Sequence, residues 1–171
     1  DGRWVATNAG GRGAPLVLLP TGPGEPRPIE TEREGVQEAV FFPDGKRLLV
    51  NGNHTVDLQT GKVREVSPEG VACQAVSPDG KEMACVGAAG EGAILVVEGG
   101  ASRPIPGFKP GEAVWQWSAD GRSLYVGLSD TVPLQIFRLD LTTGKRELWH
   151  EFRPADKSAL LAWTYYFAMT P

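Results

Sequence analysis

Asp44-Gly45, Asp79-Gly80 and Asp120-Gly121 recur along the chain, and Asp1-Gly2 stands in phase with them. Carboxylates at regular spacing could ligate a metal. A calcium loop, however, gathers several oxygen ligands within about a dozen residues and ends on a bidentate acid. Here each acid stands alone beside a glycine, so the pairs are read as turns. His54 and His150 are the only histidines, and Cys73 and Cys85 the only cysteines. A zinc centre needs three or four converging ligands, and these four residues are spread too widely to supply one. "WSADG" places Ser118 near Asp120, but no Gly-x-Ser-x-Gly elbow presents a nucleophile. Ser67, Ser77 and Ser118 precede turns and are read as turn-entry hydroxyls. Gly10, Gly11 and Gly13 surround Arg12, as a phosphate loop would, but "PLVLLP" follows them. That is a strand, and a phosphate cradle needs a helix whose amides point at the anion. No catalytic residue, metal ligand or cofactor site is therefore expected.

The ligand-binding candidates left are Asn53 and His54 in "NGNHT" and Asp130 in "LSDTVP". Both stretches carry polar groups away from the repeated turns. Loops held on a rigid framework are where binding residues concentrate.

The framework is a repeat. Gly2, Gly45, Gly80 and Gly121 are spaced by about forty residues. A second marker follows each one: "LPTGPGEPRPI", "DLQTGKVREV", "VEGGASRPI" and "DLTTGKRELW". Each unit thus holds two hairpins, the first turning at Asp-Gly and the second at Thr-Gly or Gly-Gly. Asp-Gly between apolar runs is a strong hairpin signal, because glycine accepts positive φ and Asp bonds its local backbone. "KRLLV", "SLYVGL", "ILVVE" and "QIFRLDL" have strand composition. Several are apolar at consecutive positions, so both faces should be buried.

Four strands per unit of about forty residues describe a β-propeller of four-stranded antiparallel blades. One blade cannot bury both faces alone; radial stacking does so. The all-β architecture that competes with it is a sandwich, and the paired turn markers favour the propeller. The units are 1–38, 39–73, 74–113 and 114–160, with 161–171 as the first strand of a further blade. Phe41 should face Leu48, Val76 face Met83, and Trp117 face Leu124, all as blade-to-blade core. Trp4, Trp115 and Trp163 are also expected in the core, and Trp149 at a blade edge. If Asp79-Gly80 is a two-residue turn, Cys73 faces Val86 and Gln74 faces Cys85. The thiols then lie on opposite faces, and two free, buried cysteines are expected. The ends "FAMTP" and "DGRWV" would join into one intact copy. That suits either a segment of a larger propeller, the favoured reading, or a closed ring in which 166–169 pairs with 4–7.

Composition agrees with a globular β-protein: 41% of residues are hydrophobic, 22% charged, with 22 Gly and 14 Pro. The net charge of −4 and the lack of a basic stripe argue against a nucleic-acid partner. No apolar run reaches the roughly 18 residues of a membrane span.

"SPDGK", "SADGRSLYV" and "LDLTTGKREL" resemble TolB-type, WD40-like propeller repeats of bacteria. Residues 103–171 are similar, more narrowly, to the carboxy-terminal propeller region of bacterial transmembrane serine/threonine kinases; residues 1–102 match only the generic repeat. The resemblance implies a sensor or scaffold that binds a protein, a peptide or a small ligand. It implies an extracytoplasmic setting, periplasmic or at the cell surface, and leaves the cytoplasm open. TolB-type repeats also occur in Tol-system periplasmic proteins and in propellers that gate serine peptidases. The segment could thus be the regulatory propeller of a larger enzyme. The Gly-rich loop, His-Arg-Asp and Asp-Phe-Gly motifs of a kinase do not occur in it, so the segment itself is not expected to be an enzyme.

Overall fold

The computed structural model describes residues 2–8, 15–29, 38–129 and 131–153. They form antiparallel sheets in which neighbouring strands follow one another in sequence. The first sheet holds β1 (Trp4–Asn8), β2 (Leu16–Pro20) and β3 (Arg27–Ile29). The second holds β4 (Ala39–Phe41), β5 (Arg47–Val50), β6 (His54–Asp57) and β7 (Val63–Glu65). The third holds β8 (Ala72–Val76), β9 (Glu82–Val86), β10 (Gly92–Val96) and β11 (Arg103–Pro104). The fourth holds β12 (Ala113–Trp117), β13 (Ser123–Gly127), β14 (Leu134–Asp140) and β15 (Arg146–Phe152). This is a β-propeller of about four blades, three of them four-stranded and the first three-stranded among the described residues.

Each pair of adjacent sheets shares one apolar layer. Leu16, Leu18 and Ile29 of the first sheet meet Leu48, Val50 and Val56 of the second. Phe42 and Leu49 meet Cys73, Met83, Cys85 and Val97. Ala75, Ala84 and Ile94 of the third sheet meet Val114, Trp117, Leu124, Val126 and Leu139 of the fourth. Strand alternation makes this possible: Leu48 faces back to the first sheet while Leu49 faces forward to the third. Burying one such leucine contributes about 1.5–3 kcal/mol. The expected pairs Phe41–Leu48, Val76–Met83 and Trp117–Leu124 all form.

Polar ties reinforce these layers at the rim. Arg27 Nη2 donates to Leu58 O of the second sheet's outer turn at 2.6 Å. Arg64 Nη2 donates to Val97 O of the third sheet's outer turn at 2.8 Å. Both arginines stand on outermost strands, two residues before an apolar residue, as Arg103 and Arg146 do. Arg146 Nη1 reaches the buried Glu112 Oε2 at 2.9 Å, and its guanidinium lies over Phe137. This pins the chain between the third and fourth sheets onto the fourth sheet's outer hairpin.

The turns differ from the two-residue Asp-Gly hairpins expected. Ser77 N donates to Glu82 O and Gly80 N to Ser77 O, so the loop spans Pro78 to Lys81. Asn51 is the one non-glycine residue at positive φ among those described. Asp79 therefore does not sit at the first centre of a type I′ turn, which needs positive φ there. Gly80 instead takes φ +71° after a turn centred on Pro78 and Asp79. The strand register is unchanged by this. The Asn-Gly pair at positive φ lies elsewhere: Asn51 (φ 49°) and Gly52 (φ 70°) sit in the three-residue connection, 51–53, between β5 and β6.

The cysteines overturn an expectation. Cys73 and Cys85 form a disulfide instead of remaining free thiols on opposite faces. The cause is a bulge in β8: between Cys73 and Ala75 the register shifts, so Cys73, not Gln74, faces Cys85. One inserted residue reverses the alternation beyond it. Both residues are buried, at 2% and 0% exposure. β12 carries the same bulge between Val114 and Gln116, and there Val114 and Val126 occupy the equivalent pair. The bulge belongs to the repeat and does not need the sulfur bridge. A Cys73→Val/Cys85→Val double variant should therefore keep its strand register and a native circular-dichroism spectrum. It should lose about 2–3 kcal/mol of stability to denaturant, the loop-closure contribution of a bridge spanning 12 residues. Intact-mass analysis of the parent should show two hydrogens fewer than the thiol form.

Candidate functional site

At one end of the sheets lie the Asp-Gly turns and the outer hairpin turns; at the other lie the β5–β6, β9–β10 and β13–β14 turns and the chain between blades. The first end is held by its own acids. Asp79 Oδ1 accepts from Ser77 Oγ (2.7 Å) and Lys81 N (3.1 Å). Asp120 Oδ1 accepts from Ser118 Oγ (2.6 Å) and Arg122 N (3.0 Å), and Arg138 Nη2 reaches Oδ2. Asp44 Oδ1 accepts from Lys46 N (2.8 Å). Ser77 and Ser118 each also accept a backbone amide with Oγ, from Glu82 and Ser123.

A second set of acids does the same work in the outer turns, and sequence reasoning gave it no role. Asp57 Oδ1 accepts from Gln59 N, Thr60 N and Thr60 Oγ1. Asp140 repeats this with Thr142 N, Thr143 N and Thr143 Oγ1. The signal was present as "DLQTGK" and "DLTTGK", where attention fell on the glycine. Leu58, Val97 and Leu141, the residues that start these outer turns, each donate their N–H to the first turn of the same blade. The two turns of a blade are thereby one unit.

The carboxyls of Asp57, Asp79, Asp120 and Asp140 are held below their ordinary range. For Asp79 and Asp120 the leading cause is the serine hydroxyl, for Asp57 the Thr60 hydroxyl, and for Asp140 the Thr143 amide. A depressed folded-state pKa stabilises the fold above the unfolded value and loses that contribution as pH falls through the folded one.

At the opposite end, Asn53 and His54 sit where the β5–β6 turn enters β6. His54 Nδ1 lies 2.7 Å from Asn53 Oδ1. His54 pairs with Glu65 across β6–β7, and Val66 N donates to Asn53 O. The adjoining stretch Arg64 to Pro68 lines an open groove of about 460 Å³ along the rim, and neither candidate is among its lining residues. Val66, Ser67 and Pro68 form one wall, and Val97, Glu98 and Gly99 the other. Glu98 bridges Arg47 and Arg64 across it, at 3.2 and 3.0 Å. Val66, Pro68 and Val97 give the groove its apolar surface, beside the charged Arg64, Glu65 and Glu98. Asp130 lies outside the described residues, as do Trp163 and 161–171. His54 is not brought to His150, which stands on β15, and no group of three or more His, Cys, Asp or Glu side chains among the described residues could hold a metal. No helix among the described residues is long and apolar enough to cross a membrane.

Sequence reasoning also missed an aromatic surface on the fourth sheet. Tyr125 and Trp149 pack edge to face at 5.1 Å, and His150 stands between Trp149 and Phe152 at 5.6 and 4.4 Å. Trp117 is buried as expected, whereas Trp149 is 46% exposed.

No protein-family model and no curated protein matches the chain. Solved structures do. TolB from Acinetobacter baumannii superposes with a TM-score of 0.65 at 18% identity, over 85% of this chain and 40% of that one. A protein assigned as TolB in Agrobacterium tumefaciens gives 0.64 at 20% identity, over 86% and 58%. A chain of a nidogen/laminin complex gives 0.60 at 11% identity, over 82% and 60%. The fold is thus that of a TolB-like β-propeller, and the chain spans 40–60% of the length of these structures.

Replacing Asp57, Asp79, Asp120 and Asp140 together by Asn should flatten the acid limb of the stability curve. In the parent, urea midpoints should fall as pH drops from ~4 towards 2, through and below the ordinary carboxylate range; in the variant they should fall less steeply.

Proposed function

We propose that the chain is part of a non-catalytic β-propeller that binds a protein or peptide partner, or a small ligand, on the ring face opposite the Asp-Gly turns. One observation carries the reading: the two ends of the sheets are built differently. At the Asp-Gly end, the same capping bonds recur in the second, third and fourth blades. At the other end, every described turn is different. Asn51 to Asn53 form a three-residue connection, and Gly87 to Glu91 forms a longer one closed by Gly87 N to Glu91 O. The β13–β14 connection contains the cis Val132–Pro133 bond. A constant end that fixes the framework and a variable end that it presents are the division expected of a binding scaffold. Asn53 and His54 belong to the variable end and are proposed contacts, and Asp130 of "LSDTVP" is proposed as a third from the sequence.

The Cys73–Cys85 disulfide supports an extracytoplasmic setting, because such bridges persist in oxidising compartments. A longer polypeptide would let the same face regulate an attached enzyme domain, such as a receptor serine/threonine kinase or a gated serine peptidase. The resemblance of 103–171 to kinase-associated propellers favours that second reading.

Photo-crosslinking in the native cell tests the face. A benzoyl-phenylalanine at position 53 or 129 should give discrete adducts, and one at position 59 or 142 at the opposite end should not. His54→Ala should weaken the position-129 adduct while changing stability by less than about 1 kcal/mol. Equal labelling from both ends would overturn the assignment.

A further inference from the structure

Charge is divided unevenly between the two ends of the sheets. At the Asp-Gly end, each turn acid is followed by a cation of the same turn: Asp44 by Lys46, Asp57 by Lys62, Asp79 by Lys81, Asp120 by Arg122 and Asp140 by Lys145. The repeat itself keeps those turns balanced. The variable end follows no such rule. Glu38 before β4, Glu65 at the end of β7, Glu69 in the β7–β8 link and Glu91 in the β9–β10 turn are all exposed. None of the four enters an ion pair among the described residues. Glu112 is held by Arg146 and Glu151 by Arg153, which leaves Lys109 as the exposed cation of that end without a carboxylate among the described residues. His54 stands opposite Glu65 across β6–β7.

The acids lie on loops that touch one another. Gly70 lies against Ala88, Gly90 against Pro110 and Gly111, and Gly111 against Leu128. The β7–β8 link, the β9–β10 turn, the β11–β12 link and the start of the β13–β14 turn therefore adjoin, from the second blade to the fourth. Glu69 and Glu91 sit on the first two of these loops. The last carries exposed aliphatic groups: Leu128 is 45% exposed and Val132 38%. Carboxylates and apolar side chains are thus presented side by side within the interior of the described chain.

We propose that the partner held at the variable end is a protein that presents a basic segment, lysines or arginines interleaved with apolar residues. Glu65, Glu69 and Glu91 select its cations, and Leu128 and Val132 take its apolar groups. A surface of one sign raises the local concentration of the opposite charge and speeds encounter. Carboxylates this exposed act through association rate and choice of partner more than through raw affinity. The same field works against an acidic peptide or a phosphate ester. This inference rests on the reading of the variable end as a binding face and names the chemistry of what binds there.

The test titrates the isotope-labelled chain with two peptides, acetyl-Lys-Leu-Lys-Leu-Lys-amide and acetyl-Glu-Leu-Glu-Leu-Glu-amide, and follows amide resonances. The lysine peptide should shift the amides of 65–71, 87–91 and 128–129 and leave those of 42–46 and 118–122 in place. Its affinity should fall by about tenfold in Glu69→Lys/Glu91→Lys, and by less in Glu69→Gln/Glu91→Gln. Added salt should weaken it, because exposed charges are screened. Glu25→Lys, which reverses an exposed acid at the Asp-Gly end, should bind as the parent does. All these side chains are exposed, so each variant should keep the parent's amide spectrum away from its own substitution. The inference is overturned if the acidic peptide binds equally, if the Glu69→Lys/Glu91→Lys variant binds as the parent does, or if the lysine peptide shifts nothing at 65–71 and 87–91. Crosslinks from position 53 or 129 alongside such a result would leave the wider reading standing with a partner of other chemistry; their absence as well would remove both.

Discussion

The structure depends on one constraint: a small sheet with two apolar faces must have both covered. No single blade here can manage that. Leu48 and Leu49 are adjacent on β5, point to opposite sides, and are exposed by 0% and 1%. Only a neighbour on each side achieves this, and so the sheets stack in series. The bridges between them are then secondary. Arg27 and Arg64 tie rims together, and Glu112 with Arg146 pins one connection, but each acts where the apolar layer has already set the spacing.

The same constraint explains why the acids of the repeat serve as turn residues. A stack of sheets needs every hairpin to return in register, or a strand would turn its core residues outward. Asp44, Asp79 and Asp120 in the first turn, and Asp57 and Asp140 in the second, spend their oxygens on amides two or three residues away. One end of the propeller is thereby standardised. The other end is free to differ from blade to blade.

Much of this was legible in the residues. The repeat, the strands, the pairing of Phe41 with Leu48 and the burial of Trp117 follow from periodicity and turn chemistry, because cross-strand pairing is set locally by the hairpin. The candidate site was less legible. "NGNHT" reads as a binding loop, and its Asn51 and Gly52 are turn residues at positive φ; the groove nearby is walled by Arg64 to Pro68 and by Val97 to Gly99, a blade away, and not by Asn53 or His54. Two strands of sequence separation hide such a wall from any local reading.

By itself, the sequence determined the period of the repeat, the all-β class and the residues of each hairpin, because these depend on contacts within a few residues. Tertiary structure alone decided the disulfide. Alternation counted from the turn puts Cys73 and Cys85 on opposite faces, and a single bulged residue, Gln74, puts them together. Gln74 Oε1 accepts from Val114 N of the next blade at 2.7 Å, so the residue that breaks the count is held by a strand it cannot reach within its own repeat.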